Sequence, residues 1–427
     1  MSFASYKDIL PSGLRVVTVE MPHLHTALVT AYVRTGSRHE TPENNGVSHF
    51  LEHLFFRGSQ AYPDSVRMNA AVEDVGGNLN GVTTRDHGYY YTPLHPEHLD
   101  VGVRILGDML TRPLLTGLEV ERQIILEEML DEVDEKGRDI ELDNLSKMQL
   151  FGGHPLALKI AGTPSSVRAL RQEQIQAHLE RNYVAGNMVF TAAGRVKHAQ
   201  VLALAEEAFA ALPKGAPTEE APPPPSPQGP WLHFVQHDEA QTEFRLNFRT
   251  VPEQHEDHTA LQLLRRVLDD GLSSRLPFNV VEKRGLAYSI QASIEAFHDV
   301  GLFEVEGASA PEKASQVVEE VCRTLAELCE HHVSADELRR AQRRHRMFLD
   351  FAQDSPGDLA GWFGGTELFR PPESFEERAR IAEALTAERL REVARRYFTR
   401  QNLSVVAVGQ KKGVKALERA VLGAPLP

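Results

Sequence analysis

A proline-rich segment at the middle of the chain constrains the fold more than any other feature of the sequence. Residues 213–230 read PKGAPTEEAPPPPSPQGP. Proline at this density cannot enter the interior of a helix or a sheet, so the segment is predicted to be an extended, semi-rigid linker. A chain of 427 residues is long enough for two hydrophobic cores. The sequence therefore predicts one domain over residues 1–212, a linker over 213–230 and a second domain over 231–427.

The two flanks of the linker show the same order of patterns, which indicates a duplicated unit. Each flank begins with an apolar strand, at 26–35 and 242–250, followed by a loop and an apolar helix. Each flank closes with an amphipathic helix that runs into a short apolar strand, at 187–194 and 402–409. Any two α+β halves share some of these patterns, but matching order at both ends favours duplication. We therefore predict an α+β fold of two duplicated domains, each a mainly antiparallel sheet with helices packed on one face.

Composition excludes several functional classes. The hydrophobic share of 41% and the charged share of 25% are typical of a soluble globular protein. A net charge of −14 argues against nucleic acid as the main partner, because phosphate binding needs a basic surface. No apolar stretch reaches membrane-spanning length, and the first residues lack the pattern of a signal peptide. The default expectation is a cytoplasmic protein without a membrane partner, although a processed mature form would look the same.

The two cysteines of the chain, Cys322 and Cys329, fall on one predicted helix. Seven residues are two helical turns, or about 10 Å, which is too far for a disulfide. We interpret both cysteines as small core residues.

The motif His49-Phe-Leu-Glu52-His53 carries the strongest chemical signal in the chain. On a helix, two histidines four residues apart place both imidazoles on one face, where they can share a metal ion. Glu52 flanks that face and could accept a proton from an activated water molecule without binding the metal. With 19 histidines in the chain, such a motif arises by chance in about one chain in twenty. A catalytic zinc site also needs a third protein ligand.

A second predicted helix, at residues 118–130, offers carboxylates for that role. Glu121 and Glu128 are two turns apart and therefore face the same way. A carboxylate on an apolar face is costly to bury unless it meets a cation or a hydrogen-bond donor. Glu127 points in another direction and is predicted to be solvated.

With these residues in place, the whole chain resembles the pitrilysin/insulinase-type inverzincin zinc peptidases, in the branch that contains mitochondrial processing peptidase. The family signature is His-x-x-Glu-His followed about 75 residues later by a glutamate ligand, and Glu128 stands at that distance from His53. The resemblance implies that His49, His53 and Glu128 bind one zinc ion per chain. It further implies that Glu52 is the general base, that Glu121 orients a ligating histidine, and that the domains form a clam-like chamber. The matching flanks of the motif are Gly36-Ser-Arg-His-Glu40 and Arg57-Gly58.

The second half carries no copy of the motif, since its corresponding helix reads LQLLRRVL over residues 261–268 and cannot hold a metal. In the resembling family, an arginine and a tyrosine seven residues apart in this half bind the substrate and help to polarise its carbonyl. Tyr288 matches that tyrosine, but position 281 is a valine, which cannot donate a hydrogen bond. Arg275 or Arg284 could take the place of the arginine, and the spacing does not decide between them.

Residues 76–91 predict a turn that enters a strand rich in threonine and tyrosine. In the family, the matching strand is a sheet edge beside the zinc that pairs with the substrate backbone. An ordinary hairpin is an equal alternative from the sequence alone. The substrate-binding residues that the resemblance implies are Asn80, Gly81, Thr83 and Thr84, together with Arg284 in the second half.

The function expected from these residues is that of a zinc-dependent endopeptidase that cleaves short or unfolded peptides. Because Val281 removes half of the expected substrate clamp, we expect the chain to be the zinc subunit of a heterodimer with a homologous partner subunit, or else a homodimer. The competing hypothesis is a non-catalytic structural subunit with the same fold. The intact set of costly polar side chains argues against that alternative.

Overall fold

Two mixed β-sheets organise the protein in the computed structural model, which describes residues 3–427. The strands of the first sheet are β1 (Ala4–Ile9), β2 (Arg15–Glu20), β3 (Ala27–Val33), β4 (Asn80–Thr83), β5 (Gly88–Leu94) and β6 (Met188–Gly194). The strands of the second sheet are β7 (Trp231–Gln236), β8 (Thr242–Thr250), β9 (Ser289–Ala296), β10 (Gly301–Ser309) and β11 (Leu403–Gly409).

The strand order of the two sheets supports the predicted duplication. The first sheet is ordered β1-β2-β6-β3-β5-β4 and the second β7-β11-β8-β10-β9. Each sheet contains one parallel pair, which is β2 with β6 in the first sheet and β7 with β11 in the second. Three antiparallel strands follow this pair, in the order β3-β5-β4 in the first sheet and β8-β10-β9 in the second. The second sheet therefore repeats the first without a counterpart of β1. This arrangement confirms the α+β class and the two-domain fold.

The helices fill the intervals between the strands. In chain order they are α1 (Val47–Phe55), α2 (Ser65–Glu73), α3 (Leu99–Thr111), α4 (Leu118–Glu128), α5 (Leu142–Phe151), α6 (Pro164–Ala169), α7 (Gln172–Asn182), α8 (His198–Ala208), α9 (His258–Leu268), α10 (Ala314–Glu330), α11 (Ala335–Ala352), α12 (Pro356–Ala360), α13 (Phe375–Ala384), α14 (Ala387–Tyr397) and α15 (Val414–Leu422). Within residues 3–427, no helix combines the length and the apolar character needed to cross a bilayer. Both cysteines are buried free thiols on α10, which confirms the prediction that they do not pair.

The two compact units of the chain differ from contiguous sequence halves in two places. Unit 1 comprises the chain up to Leu130 together with Leu158–Ala221 and Asp350–Pro372. Unit 2 comprises Asp131–Ala157, Pro222–Leu349 and Glu373–Pro427. Residues 131–157 therefore leave the predicted first domain, and residues 350–372 leave the predicted second domain.

Each half of the chain thus gives one segment to the unit built mainly by the other half. This exchange follows from sheets that are apolar on both faces. In unit 1, Val29 and Ala31 of β3 face the main helical core, whereas Tyr32 lies on the opposite face with Leu368. Helix α12 contacts β2, β3 and β6. In unit 2, Val406 of β11 likewise packs against Leu145 of α5. Most helices thus lie on one face of each sheet, as predicted, and one exchanged segment covers the other face.

The proline-rich linker has neither helix nor strand over residues 213–230, but it is bound along its length. In unit 1, the amide of Gly186 donates to the Gly215 carbonyl at 3.1 Å. In unit 2, Arg249 donates to the Pro224 carbonyl at 3.1 Å. The boundary between the units, after Ala221, lies inside this linker.

Lys147 fastens α5 to the second sheet through a buried charge cluster. Its side chain is fully buried, and its ammonium lies 2.8 Å from Asp143, 2.6 Å from Glu295 and 3.0 Å from Glu304. A buried cation requires such partners, because an unpaired charge in an apolar interior is strongly unfavourable. The cluster therefore specifies where the exchanged segment docks.

Replacing Lys147 with alanine should destabilise unit 2 by about 3–5 kcal/mol, because Glu295 would lose its cation and the other two carboxylates of the cluster would be left with Arg245. Urea unfolding followed by circular dichroism measures the change. The matched control is Lys136→Ala, which removes an exposed lysine from the same segment. Equal stability of the two variants would show that the cluster does not hold α5.

Candidate metal centre

Helix α1 presents its histidines because its apolar residues occupy the other side. Phe50 and Leu54 are fully buried in the core of unit 1. The side chains of His49 and His53 are only 18% and 17% exposed, and their rings lie edge to face with centroids 4.7 Å apart. The four-residue spacing therefore places both imidazoles on one helical face, as predicted.

A buried carboxylate holds the first turn of α1. Glu40 accepts hydrogen bonds from the backbone amides of Gly46 and Ser48, at 2.7 and 2.8 Å, and from the side chain of Asn45 at 2.8 Å. A negative charge at this end satisfies amides that lack helical partners and complements the helix dipole. Sequence reasoning assigned no role to Glu40, although it lies in the flank that resembles the family.

Helix α4 brings a carboxylate to the two imidazoles. Oε2 of Glu128 lies 3.9 Å from Nε2 of His49 and 3.6 Å from Nε2 of His53. Among residues 3–427, these side chains form one of two groups whose potential ligand atoms all lie within 4.8 Å of one another. The other group contains Asp143, and the Lys147 ammonium already lies among its carboxylates.

Glu121 contacts His53 on the ring nitrogen that faces away from Glu128. Its Oε2 is 2.8 Å from Nδ1 of His53, and its Oε1 accepts from the Arg57 guanidinium. With a carboxylate at Nδ1, the hydrogen of His53 is held on that nitrogen and Nε2 keeps its lone pair for a cation. The exposure of the two glutamates differs, since the Glu121 side chain is 5% exposed and that of Glu128 is 48% exposed.

The donor set fits a divalent metal such as zinc. Tetrahedral ligands at zinc bond lengths lie roughly 3.3 Å apart, close to the separations between Glu128 and the two histidines. These separations exceed those of direct hydrogen bonds and leave room for a cation. Burial and the neighbouring His53 lower the pKa of His49 to about 4, so that its imidazole is neutral and able to bind a metal at neutral pH.

Glu52 lies between the metal group and the edge strand β4. Burial raises the pKa of its carboxyl, and the hydroxyl of Thr83 donates to its Oε2 at 2.5 Å. Gly81 allows this approach, because a Cβ there would lie 3.0 Å from Glu52 Cγ and from the Phe56 ring. Sequence reasoning placed Thr83 and Gly81 in substrate binding and missed their contacts with Glu52.

The other two residues predicted on this strand have different surroundings. The Asn80 side chain donates to the Asn78 carbonyl at 3.2 Å. The Thr84 hydroxyl donates to the His87 carbonyl at 2.7 Å and closes the turn before β5. Neither contact involves the metal group, and their role in substrate binding stays a prediction.

The predicted substrate-binding residues of the second half belong to unit 2 and not to the unit that holds the histidines. The Tyr288 side chain is 91% exposed. Arg275 forms an ion pair with Glu337 at 2.7 Å, and Arg284 forms one with the buried Glu320 at 2.5 Å. Both candidate replacements for the missing arginine are thus engaged in ion pairs of their own unit.

Comparison with known proteins places both halves in one family. A family profile described as insulinase (peptidase family M16) matches residues 15–164, and one described as the peptidase M16 inactive domain matches residues 169–344. The metal group lies within the first match. A protein of Mycobacterium tuberculosis named an uncharacterized zinc protease is 31% identical over 435 residues, covering 99% of this chain and 98% of the relative. The mitochondrial-processing peptidase subunit beta of Blastocladiella emersonii is 30% identical over 428 residues, covering 94% of this chain and 87% of that protein.

Solved structures agree on the fold. The crystal structure of a protease from Helicobacter pylori has a TM-score of 0.88 at 21% identity, covering 96% of this chain and 100% of that chain. A peptidase M16 inactive domain from Pseudomonas fluorescens has a TM-score of 0.87 at 20% identity, covering 96% and 98% of the two chains. At these identities the likeness concerns the fold alone.

Replacing Glu121 with glutamine should weaken metal binding by about 10- to 100-fold, because His53 loses the carboxylate that orients it. Titration of the metal-free protein with zinc against a competing chelator measures this affinity. Glu127→Gln removes an exposed carboxylate from the same helix and should leave it unchanged. Equal affinities in the two variants would remove Glu121 from the site.

Proposed function

The chain belongs to the insulinase family of peptidases, peptidase family M16, and on that premise we propose that it is a zinc-dependent endopeptidase acting on short or unfolded peptides. The observation that carries the proposal is the convergence of two imidazoles and one carboxylate beside the partly buried Glu52. The names of the relatives, a zinc protease and a processing-peptidase subunit, support the same reaction class. The profile described as inactive covers residues 169–344, which contain none of the proposed metal ligands.

In this proposal His49, His53 and Glu128 hold one zinc ion. Zinc in such a site supplies a Lewis acid that polarises a carbonyl and lowers the pKa of water. Glu52 accepts a proton from the attacking water, while the hydroxyl of Thr83 holds its carboxylate in place through Oε2. Glu52 can then pass this proton on to the leaving amine.

The edge strand β4 is the proposed peptide-binding element. It lies at the end of the first sheet and pairs with β5 on one side. An extended peptide that added itself to this edge would gain backbone hydrogen bonds with little dependence on its side chains. Helix α1, which carries Glu52, contacts this strand, so a peptide bound along it would lie near the proposed base.

We further propose that the chain works as the metal-bearing member of a two-chain assembly, with a homologous subunit or a second copy as its partner. Valine at position 281 cannot donate a hydrogen bond, and Arg275 and Arg284 are held in ion pairs. A partner chain would supply the missing donor. The processing-peptidase relative is itself named as a subunit.

The metal and the proposed base can be tested together. The purified chain should contain one zinc ion by elemental analysis, and His49→Ala should abolish its binding because one of three ligands is lost. Glu52→Gln should retain zinc while peptide hydrolysis falls by about 10²- to 10⁴-fold, the range typical of a lost general base.

Three outcomes would contradict the proposal. A chain that binds no stoichiometric zinc would favour the structural-subunit hypothesis. Hydrolysis that survives in the His49→Ala variant would place the reaction elsewhere. Undiminished activity of Glu52→Gln would assign the proton transfer to another group.

The two-chain assembly has a separate test in Val281→Arg. If a partner supplies the missing donor, this variant should raise the kcat of the isolated chain because it restores a donor within the chain. Val281→Leu, an apolar change at the same position, serves as the control. A wild-type chain that is already fully active alone, with no gain in Val281→Arg, would rule out the need for a partner.

A further inference from the structure

The linker carries one carboxylate that is unusual for such a segment, because it is buried. The Glu220 side chain is 5% exposed, whereas its neighbour Glu219 is exposed. Its oxygens lie 2.8 Å from Nε of Arg34, 2.8 Å from Nε of Arg38 and 3.0 Å from Nε2 of His39. Burial of a carboxylate is energetically costly unless several donors compensate it. A segment that served only as a flexible linker would not need such a buried charge.

The three partners of Glu220 come from residues 34–39, a short stretch that precedes α1, the helix that carries both histidines. His39 accepts a hydrogen bond at Nδ1 from the Gly36 amide at 3.2 Å, so its Nε2 carries the hydrogen that is donated to Glu220. Arg38 also donates to the carbonyl of Ala221 at 3.3 Å. The linker is thus bound to this stretch by both side chain and backbone.

Residues 36–40, which include two of these partners, lie six residues before α1 and hold its first turn. This stretch ends in Glu40, which accepts hydrogen bonds from the backbone amides of Gly46 and Ser48. Since Glu40 follows His39 in the chain, the positions of the two residues are coupled by one peptide bond. A shift of the Glu220 contact would therefore be transmitted to the helix that carries both histidines.

Residues 36–40 also contact the end of the strand β4 hairpin. The Arg38 amide donates to the Arg85 carbonyl at 2.8 Å. At Gly36 a Cβ atom would collide with the Thr84 carbonyl oxygen, so the two backbones approach as closely as glycine allows. The stretch is therefore in contact with the metal helix, the proposed peptide-binding strand and the linker.

We propose that Glu220 is a positioning residue, through which the linker sets the relative placement of helix α1 and strand β4. The effect of Glu220 on catalysis rests on the proposed peptidase function, whereas its effect on the placement of α1 and β4 does not. The linker is then part of the scaffold of the site and not only a connection between the two halves.

The test compares three variants of the full-length chain. Glu220→Gln removes the charge and keeps the shape, Glu219→Gln removes an exposed charge from the adjacent position, and Thr218→Val removes another linker contact, the hydrogen bond to Asn182. In Glu220→Gln, amide hydrogen exchange should accelerate by about tenfold or more over residues 36–50 and 80–85, because a buried carboxylate–guanidinium contact is broken. The other two variants should exchange like the wild type in these segments.

Two further measurements separate positioning from a general loss of stability. Zinc release to a chelator should be faster in Glu220→Gln than in Glu219→Gln, and Glu220→Asp, which keeps the charge, should restore part of the difference. If Glu220→Gln does not fold, Arg34→Gln, which removes one of the three donors to Glu220, replaces it in every comparison. Wild-type exchange in Glu220→Gln, or equal acceleration in Thr218→Val, would overturn the proposal. The exchange experiment needs neither metal nor substrate, so its result stands apart from that of the peptidase proposal.

Discussion

The contact between Glu121 and His53 is the interaction on which the candidate metal centre depends. It joins α4 to α1 inside the core of unit 1, where the carboxylate is almost fully buried and needs donors on both oxygens. Arg57 supplies the second donor, one turn beyond His53. Packing reinforces the same crossing, since the Arg122 guanidinium of α4 lies 5.5 Å from the centre of the Phe50 ring of α1. With the two helices held in this way, the last turn of α4 places Glu128 beside both imidazoles.

The sheets set a second constraint, because both of their faces are apolar. A sheet of this kind needs cover on two sides, and the helices that follow each strand in sequence cover only one of them. In each unit the second cover comes from the other half of the chain, as α12 on the first sheet and α5 on the second. The exchange explains why the two compact units differ from contiguous sequence halves at residues 131–157 and 350–372. It also gives each half a buried dependence on the other, which Lys147 and its carboxylates illustrate in unit 2.

The candidate site was open to prediction where its residues are close in sequence or on one regular helix. The pairing of His49 with His53 follows from the helical repeat alone. The approach of Glu128 required the resemblance to a family, because no local pattern says that α4 crosses α1. The roles of Glu40, Gly81 and Thr83 around α1 had no signal strong enough to separate them from loop and strand residues. Glu220 was hidden in a segment whose composition predicts only extension.

The sequence by itself determined the α+β class, the duplication, the helices and strands around the motif, and the pairing of His49 with His53 on one helical face. These features depend on periodicity, proline content and spacing, which are local properties of a chain. Only the tertiary structure decided which carboxylate meets the imidazoles, which hydroxyl meets Glu52, and which segments exchange between the units. Thr83 and Glu52 are 31 positions apart in the chain, and Glu128 and His53 are 75 positions apart. The exchanged segments are further still from the sheets that they cover. The geometry of these contacts results from competition among many buried surfaces, which no short stretch of sequence encodes.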